Sequence, residues 1–245
     1  MSARRATHKL GVATRDQSGL TLMELLISLI IASIVSTMIF MSWFSLNQSY
    51  SYSVHSNEAR DIARLAMGRM AREIRDVESV PTSNECAVVR ARGFWVLFTT
   101  TFNTAGNSNA TMVPHLAMYR LYEDETLWRY EDMNGNGTIA GVDVNVTTDD
   151  TNFNTAEQSN GEGARLVCRN AVNYVVPSGG ETPLFEYSYY DDDGQLQLDP
   201  YVYTTPNRQR ILAVQIHLLV DLNPRRSPTY ADLLTTAQLR NQRQF

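Results

Sequence analysis

The sequence predicts an α+β protein: one long N-terminal helix, transmembrane in its first half and amphipathic in its second, packed on an antiparallel β-sheet. Three observations predict it. A 25-residue apolar run, Leu20 to Phe44, contains a single ionisable side chain, Glu24. Apolar positions then recur at spacings of three and four up to Val77, with no proline before Pro81. Past residue 81, short runs rich in Val, Phe, Tyr and Trp alternate with clusters of Asn, Gly, Asp and Pro, the pattern of strands and turns.

The first 19 residues carry Arg4, Arg5, Lys9 and Arg15 against one acid, Asp16. Subtracting them from totals of 21 basic and 26 acidic side chains leaves 17 and 25, so the rest of the 245-residue chain stands at −8. A basic head before an apolar run orients a membrane segment with its positive end in the cytoplasm. An acidic body without clustered Lys and Arg argues against a direct nucleic-acid site, because phosphate neutralisation needs such clusters. The pair Arg225-Arg226 reads as solvated loop charge.

At about 1.5 Å per residue, Leu20 to Phe44 is long enough to cross a hydrocarbon core of about 30 Å. Only a helix satisfies its own backbone there. The run is too long for an ordinary signal-peptide core, and Trp43 and Phe44 stand at its outer end as interfacial anchors. Glu24, in its first turn, is an intramembrane carboxylate and therefore a candidate functional group whose partner has to be identified.

Residues 18–26, Ser-Gly-Leu-Thr-Leu-Met-Glu-Leu-Leu, resemble the type IV prepilin motif. The resemblance implies cleavage by a prepilin peptidase between Gly19 and Leu20 and methylation of the new amine on Leu20. It also places Glu24 as the fifth mature residue. Cleavage creates a cationic amine that would be isolated in lipid. In a filament the Glu24 carboxylate of one subunit can pair with the amine of a neighbour, which removes two uncompensated charges and fixes the axial register.

After Phe44 the sequence turns polar, with nothing to stop the helix. Ile62, Leu65, Ala66, Met70, Ile74 and Val77 form one stripe; Arg64, Arg69, Arg72, Glu73, Arg75 and Asp76 are expected on the other face. The expected segments are a leader over 1–19, a transmembrane part over 20–44, an amphipathic part over 45–80 and a β-rich head over 81–245. Expected strands cover 87–89, 94–99, 116–122, 126–130, 184–190, 211–219 and 235–239. Those at 116–122 and 127–130 are joined as a hairpin by Glu123-Asp124-Glu125. In the strand from Ile211, the residues Leu212, Val214, Ile216, Leu218 and Val220 make one strongly apolar face. The tract 145–163, dense in Thr, Asn, Asp and Gly, reads as a surface loop, and Asp191-Asp192-Asp193-Gly194 as a solvated turn.

Residues 132–143 fit the twelve-residue calcium loop. Asp132, Asn134 and Asn136 offer oxygens at positions 1, 3 and 5, Gly137 stands at 6, Thr138 supplies a backbone carbonyl at 7, Ile139 is apolar at 8, and Asp143 ends the loop at 12. Ca²⁺ is the expected cofactor. A plain Asn-Gly hairpin turn accounts for the same glycines but does not require Asp143. Cys86 and Cys168, 82 residues apart without metal-type spacing, read either as one disulfide in an oxidising compartment or as two separately buried thiols.

No nucleophile elbow, phosphate loop or zinc-protease motif is present, so the sequence points to no enzyme and no small-molecule substrate. Residues 64–75, LFEYSYYDDDG at 184–194 and TTAQLRN at 235–241 resemble segments of PilW-like minor pilins; the first also resembles GspJ-like pseudopilins of type II secretion. The resemblance implies a pilin-like minor subunit that initiates or caps a type IV pilus for adhesion, twitching or DNA uptake. Its partners would be major and minor pilins, the prepilin peptidase, the inner-membrane assembly platform and membrane lipid. Its place would be the inner membrane, crossed once, with the head in the periplasm. The alternatives are a pseudopilin of the secretion machine and a membrane-tethered binding domain.

Overall fold

The structure, a computed structural model, describes residues 21–77, 86–101, 114–133, 138–140, 161–174, 180–222 and 230–239. The chain divides into two compact units, Met1–Ser51 and Tyr52–Phe245. The described part of the first is helix throughout after Thr21, the beginning of α1 (Leu22–Arg75).

Among the described residues, the second unit holds the rest of α1 and nine strands in two antiparallel sheets. One sheet contains β1 (Val88–Ala91), β2 (Trp95–Thr100), β3 (His115–Leu121), β4 (Leu127–Glu131) and β5 (Arg165–Cys168), in that spatial order. The other is ordered β7 (Leu196–Asp199), β6 (Phe185–Tyr190), β8 (Ile211–Val220), β9 (Ala231–Gln238). A short helix, α2 (Thr205–Gln209), precedes β8 and begins with Pro206 in its first turn, where a missing N–H costs nothing. Isolated bridges tie Ala91 of β1 to Val202, which follows β7, and Val220 of β8 to Ala171, which follows β5.

The architecture is the expected α+β, with two sheets where one was expected. The core explains why. Ala63, Ala66, Met70 and Ile74 of α1 pack in one cluster with Val96, Phe98 and Tyr119 of the first sheet and Tyr187, Val214 and Ile216 of the second. Small residues at 59, 63, 66 and 71 let both sheets approach the helix. A second cluster joins Trp95 and Leu97 of β2, Met118 of β3 and Tyr130 of β4 to Tyr122 just past β3 and to Ile139, which follows β4 outside any strand.

The expected helix end near residue 80 is corrected to Arg75, because Val77 has left the helix to form an antiparallel bridge with Thr100. Leu65, expected on the packed stripe, is 77% exposed. The β3–β4 hairpin forms as expected, with Leu121 opposite Leu127. In β8 the apolar face is buried from Val214 to Val220, while a register shift at Ser188/Tyr189 brings Ile211 inward and leaves Leu212 half-buried. Two strands, β5 and β7, fall outside the expected set. Cys86 and Cys168 are both buried and are not joined by a disulfide, which matches the second of the two expected readings, separately buried thiols.

Candidate functional site

Three places hold the residues that carry chemistry: the start of α1, the neck of the loop after β4, and a charged group inside the core.

At the start of α1, Thr21 caps the helix. Its Oγ1 accepts the Glu24 N–H at 3.3 Å and its carbonyl accepts the Leu25 N–H at 3.1 Å. Thr21-x-x-Glu24 has the spacing of a capping box, and this bond is the first half of one. The acid also lies at the helix end where a negative charge is favoured. From Leu22 to Phe44 every residue is exposed, and the helix is long and apolar enough to cross a membrane. Ser28, Ser33 and Thr37 return their hydroxyl protons to the carbonyls of Leu25, Ile30 and Ser33, each at 2.8 Å. Those hydroxyls therefore carry no unsatisfied donor into an apolar surrounding. Glu24 remains the one ionisable group of the segment. Gly19 and Leu20 lie outside the described residues.

A family model for the prokaryotic N-terminal methylation motif matches residues 14–40. This is the type IV pilin and pseudopilin signal. It indicates processing by a prepilin peptidase, assembly with other pilins and anchoring in a membrane. The match spans the capped helix start, Glu24 and most of the exposed apolar run, so the pilin signal and the helix coincide. Proteins carrying this signal are structural subunits. No curated protein matches the chain.

Of the expected calcium loop, the neck is described. Asp132 is buried and donates its N–H to Leu116 O at 2.9 Å. Ile139 is buried in the second core cluster, so position 8 anchors the loop from its far side. Between them stands Glu162. Its Oε1 accepts the Met133 N–H at 2.9 Å, its Oε2 accepts the Ala140 N–H at 3.0 Å, and its own N–H bonds Ala140 O at 2.8 Å. One carboxylate thus bonds positions 2 and 9 of the expected loop. Gly163 follows at φ +62°, and a Cβ there would fall 2.9 Å from the Glu131 backbone and side chain. Thr138 is exposed; Asn134, Asn136 and Asp143 lie outside the described residues. Among the described residues no three His, Cys, Asp or Glu side chains gather as a metal group. Glu162 was hidden in the tract read as surface loop, and its signal was faint: an acid between two glycines.

The third place was not foreseen. Glu73 of α1, expected on the polar face, is fully buried. Arg129 of β4, also fully buried, donates Nε–H to Glu73 Oε2 at 2.7 Å and Nη1–H to Glu131 Oε2 at 2.5 Å. His115 Nε2 stands 2.9 Å from Glu131 Oε1, and Arg69 reaches Glu73 Oε1 at 3.4 Å from the half-buried side. Burial alone would lower the Arg129 pKa, but the two carboxylates outweigh it and hold it above its ordinary value. Burial, and then the Glu73 charge, push the Tyr119 phenol well up. This arrangement fastens the helix to the first sheet.

Proposed function

We propose that the chain is a minor pilin, PilW-like, whose leader is removed between Gly19 and Leu20 and whose methylated Leu20 amine pairs with Glu24 of a neighbouring subunit. The observation that carries this reading is one carboxylate in the first turn of an otherwise uncharged, exposed membrane-length helix inside the pilin signal. An amine and a carboxylate in apolar surroundings are each costly alone, and their pairing between subunits offsets both. The head stands in the periplasm, opposite the basic leader.

The GspJ-like pseudopilin of type II secretion is the second reading, favoured by the resemblance of residues 64–75 and compatible with the same signal. The loop 132–143 binds Ca²⁺ through Asp132, Asn134, Asn136, the Thr138 carbonyl and Asp143. Support for this comes from the loop spacing and from Glu162, whose carboxylate brings Met133 and Ala140, positions 2 and 9, together.

Mass spectrometry of the membrane-extracted protein tests the processing. A mature chain starting at Leu20 with a methylated amine is expected, and retention of residues 1–19 or cleavage at another bond rules the reading out. Deleting the gene and scoring surface pili against secreted protein separates the two machines.

A further inference from the structure

The second sheet ends in an apolar strand that nothing among the described residues covers. Strand β7 pairs with β6 alone, Tyr190 opposite Leu196 and Ser188 opposite Leu198. The Asp191 N–H bonds Gln195 O at 3.0 Å, so that pair is a hydrogen-bonded one. Alternation along an antiparallel ladder then turns the Gln197 and Asp199 backbones toward β6 and those of Leu196 and Leu198 outward. The free edge therefore presents two N–H groups and two carbonyls, all from leucines. Their side chains are 62% and 54% exposed, beside a Tyr190 ring that is 46% exposed.

Natural edges are blunted by shortness, charge or proline; this four-residue edge is bounded by Asp199 and Pro200, but its two outward positions between the turn and Asp199 carry neither charge nor proline. The other edge of the same sheet, β9, has Asp232, Leu234, Thr236 and Gln238 as its outward residues, one leucine among polar groups; by the same alternation, the Leu239 N–H to Leu212 O bond sets them there. The surroundings of β7 are acidic. Asp191, Asp192 and Asp193 form the adjoining turn and Asp199 ends the strand. Arg210 is the cation at that turn, and Asp192 takes it at 2.6 Å. Side chains alternate across a strand, so Leu196 and Leu198 lie on one face while Gln197, whose amide holds Asp191 Oδ2 at 2.7 Å, and Asp199 lie on the other.

We infer that β7 receives an extended segment of another protein in which apolar and basic residues alternate. The segment adds to the sheet as a fifth strand. Its main chain meets the Leu196 and Leu198 amides and carbonyls, its apolar residues cover those leucines and Tyr190, and its basic residues lie along Asp191 and Asp199. This surface belongs to the head and does not depend on which filament the helix enters.

The test uses the full chain in detergent micelles, with amide hydrogen exchange read residue by residue. The probe is a capped seven-residue peptide of alternating Lys and Val, and the control has Glu in place of Lys. The Lys peptide is expected to slow exchange at Leu196 and Leu198 on the order of tenfold at low ionic strength, with the slowing lost at high salt. The Glu peptide should leave exchange unchanged. Leu198→Pro removes one outward N–H and should abolish the effect. Should that variant unfold, Leu196→Lys/Leu198→Lys, at two exposed positions, should weaken binding at least tenfold by like-charge repulsion. Equal protection by both peptides, protection at β9 instead, or no protection overturns the inference. So does concentration-dependent protection without peptide, which would assign the edge to a second copy of the chain.

Discussion

The Arg129 guanidinium donates Nε–H to the Glu73 carboxylate at 2.7 Å across 56 residues of sequence, and both side chains are fully buried. This contact ties the last turn of α1 to the fourth strand. Its energetic worth lies in what happens when half of it is removed. Glu73→Gln leaves a buried cation short of one carboxylate and is expected to cost about 3–5 kcal/mol in denaturant unfolding. Glu73→Leu combined with Arg129→Leu and Glu131→Gln, which removes the cation together with both carboxylates it bonds, should recover a large part of that loss. A triple variant less stable than the single one would mean that the cluster contributes more than mutual compensation.

In the β3–β4 turn Glu125 sits at φ +63°, a left-handed conformation, and its carboxyl is held above its ordinary range by burial and then by Asp221 and Asp124. Both effects disfavour a glutamate there. Glu125→Gly should stabilise the protein by about 1 kcal/mol, since glycine adopts this conformation without a Cβ penalty and carries no charge. Thermal unfolding of the two proteins side by side checks the sign.

Burial raises the Cys168 thiol from 9.0 to about 12. The folded protein keeps this proton where the unfolded chain releases it, so between those values the native state binds more protons and stability falls as pH rises. Below about pH 9 the contribution is fully present. At pH 9.5 iodoacetamide should leave Cys168 unlabelled in native protein and label it on denaturation, as read by peptide mass mapping. Equal labelling rates in the two states would contradict the burial.

Glu162 holds the Met133 and Ala140 amides on one carboxylate, which fixes these two positions of the 132–143 tract relative to each other. Titrating the protein with Ca²⁺ should raise its Tm, and Glu162→Ala should lower Tm without calcium and weaken the calcium response. Absence of any Ca²⁺-dependent shift in the native protein removes the metal reading while leaving the Glu162 bonds intact.

For Glu24, replacement by Ala should leave membrane insertion unchanged, because the apolar run persists, yet reduce methylation or incorporation into filaments. Insertion is read by carbonate extraction, methylation by mass spectrometry. Unaltered methylation and unaltered assembly together would sink the pairing assigned to this carboxylate.

Sequence periodicity was sufficient for α1, the β3–β4 hairpin and the inward face of β8, since each is long or bounded by a turn and buried on one side. It failed where the deciding contact is distant. Glu73 looks like a surface acid on any helical projection; only Arg129, brought over by β4, makes it a core residue. Leu65 looks like core, and no strand reaches it. Strands β5 and β7 are four residues long, and the exposed Leu-Gln-Leu of β7 has too few positions for alternation to register. Met133, Ala140 and Glu162 meet through hydrogen bonds between residues more than 20 positions apart, which local spacing does not encode. The pilin signal, by contrast, is confined to one short stretch and was legible in full.

From Ala59 to Val77 the helix and the sheets share one core, with Glu73 near the end of that stretch. The packed methyls, the Glu73 and Arg129 bonds and the Val77 to Thr100 bridge all hold this stretch, so a tug on the helix is resisted by several fastenings of different kinds and the head does not hang from one of them.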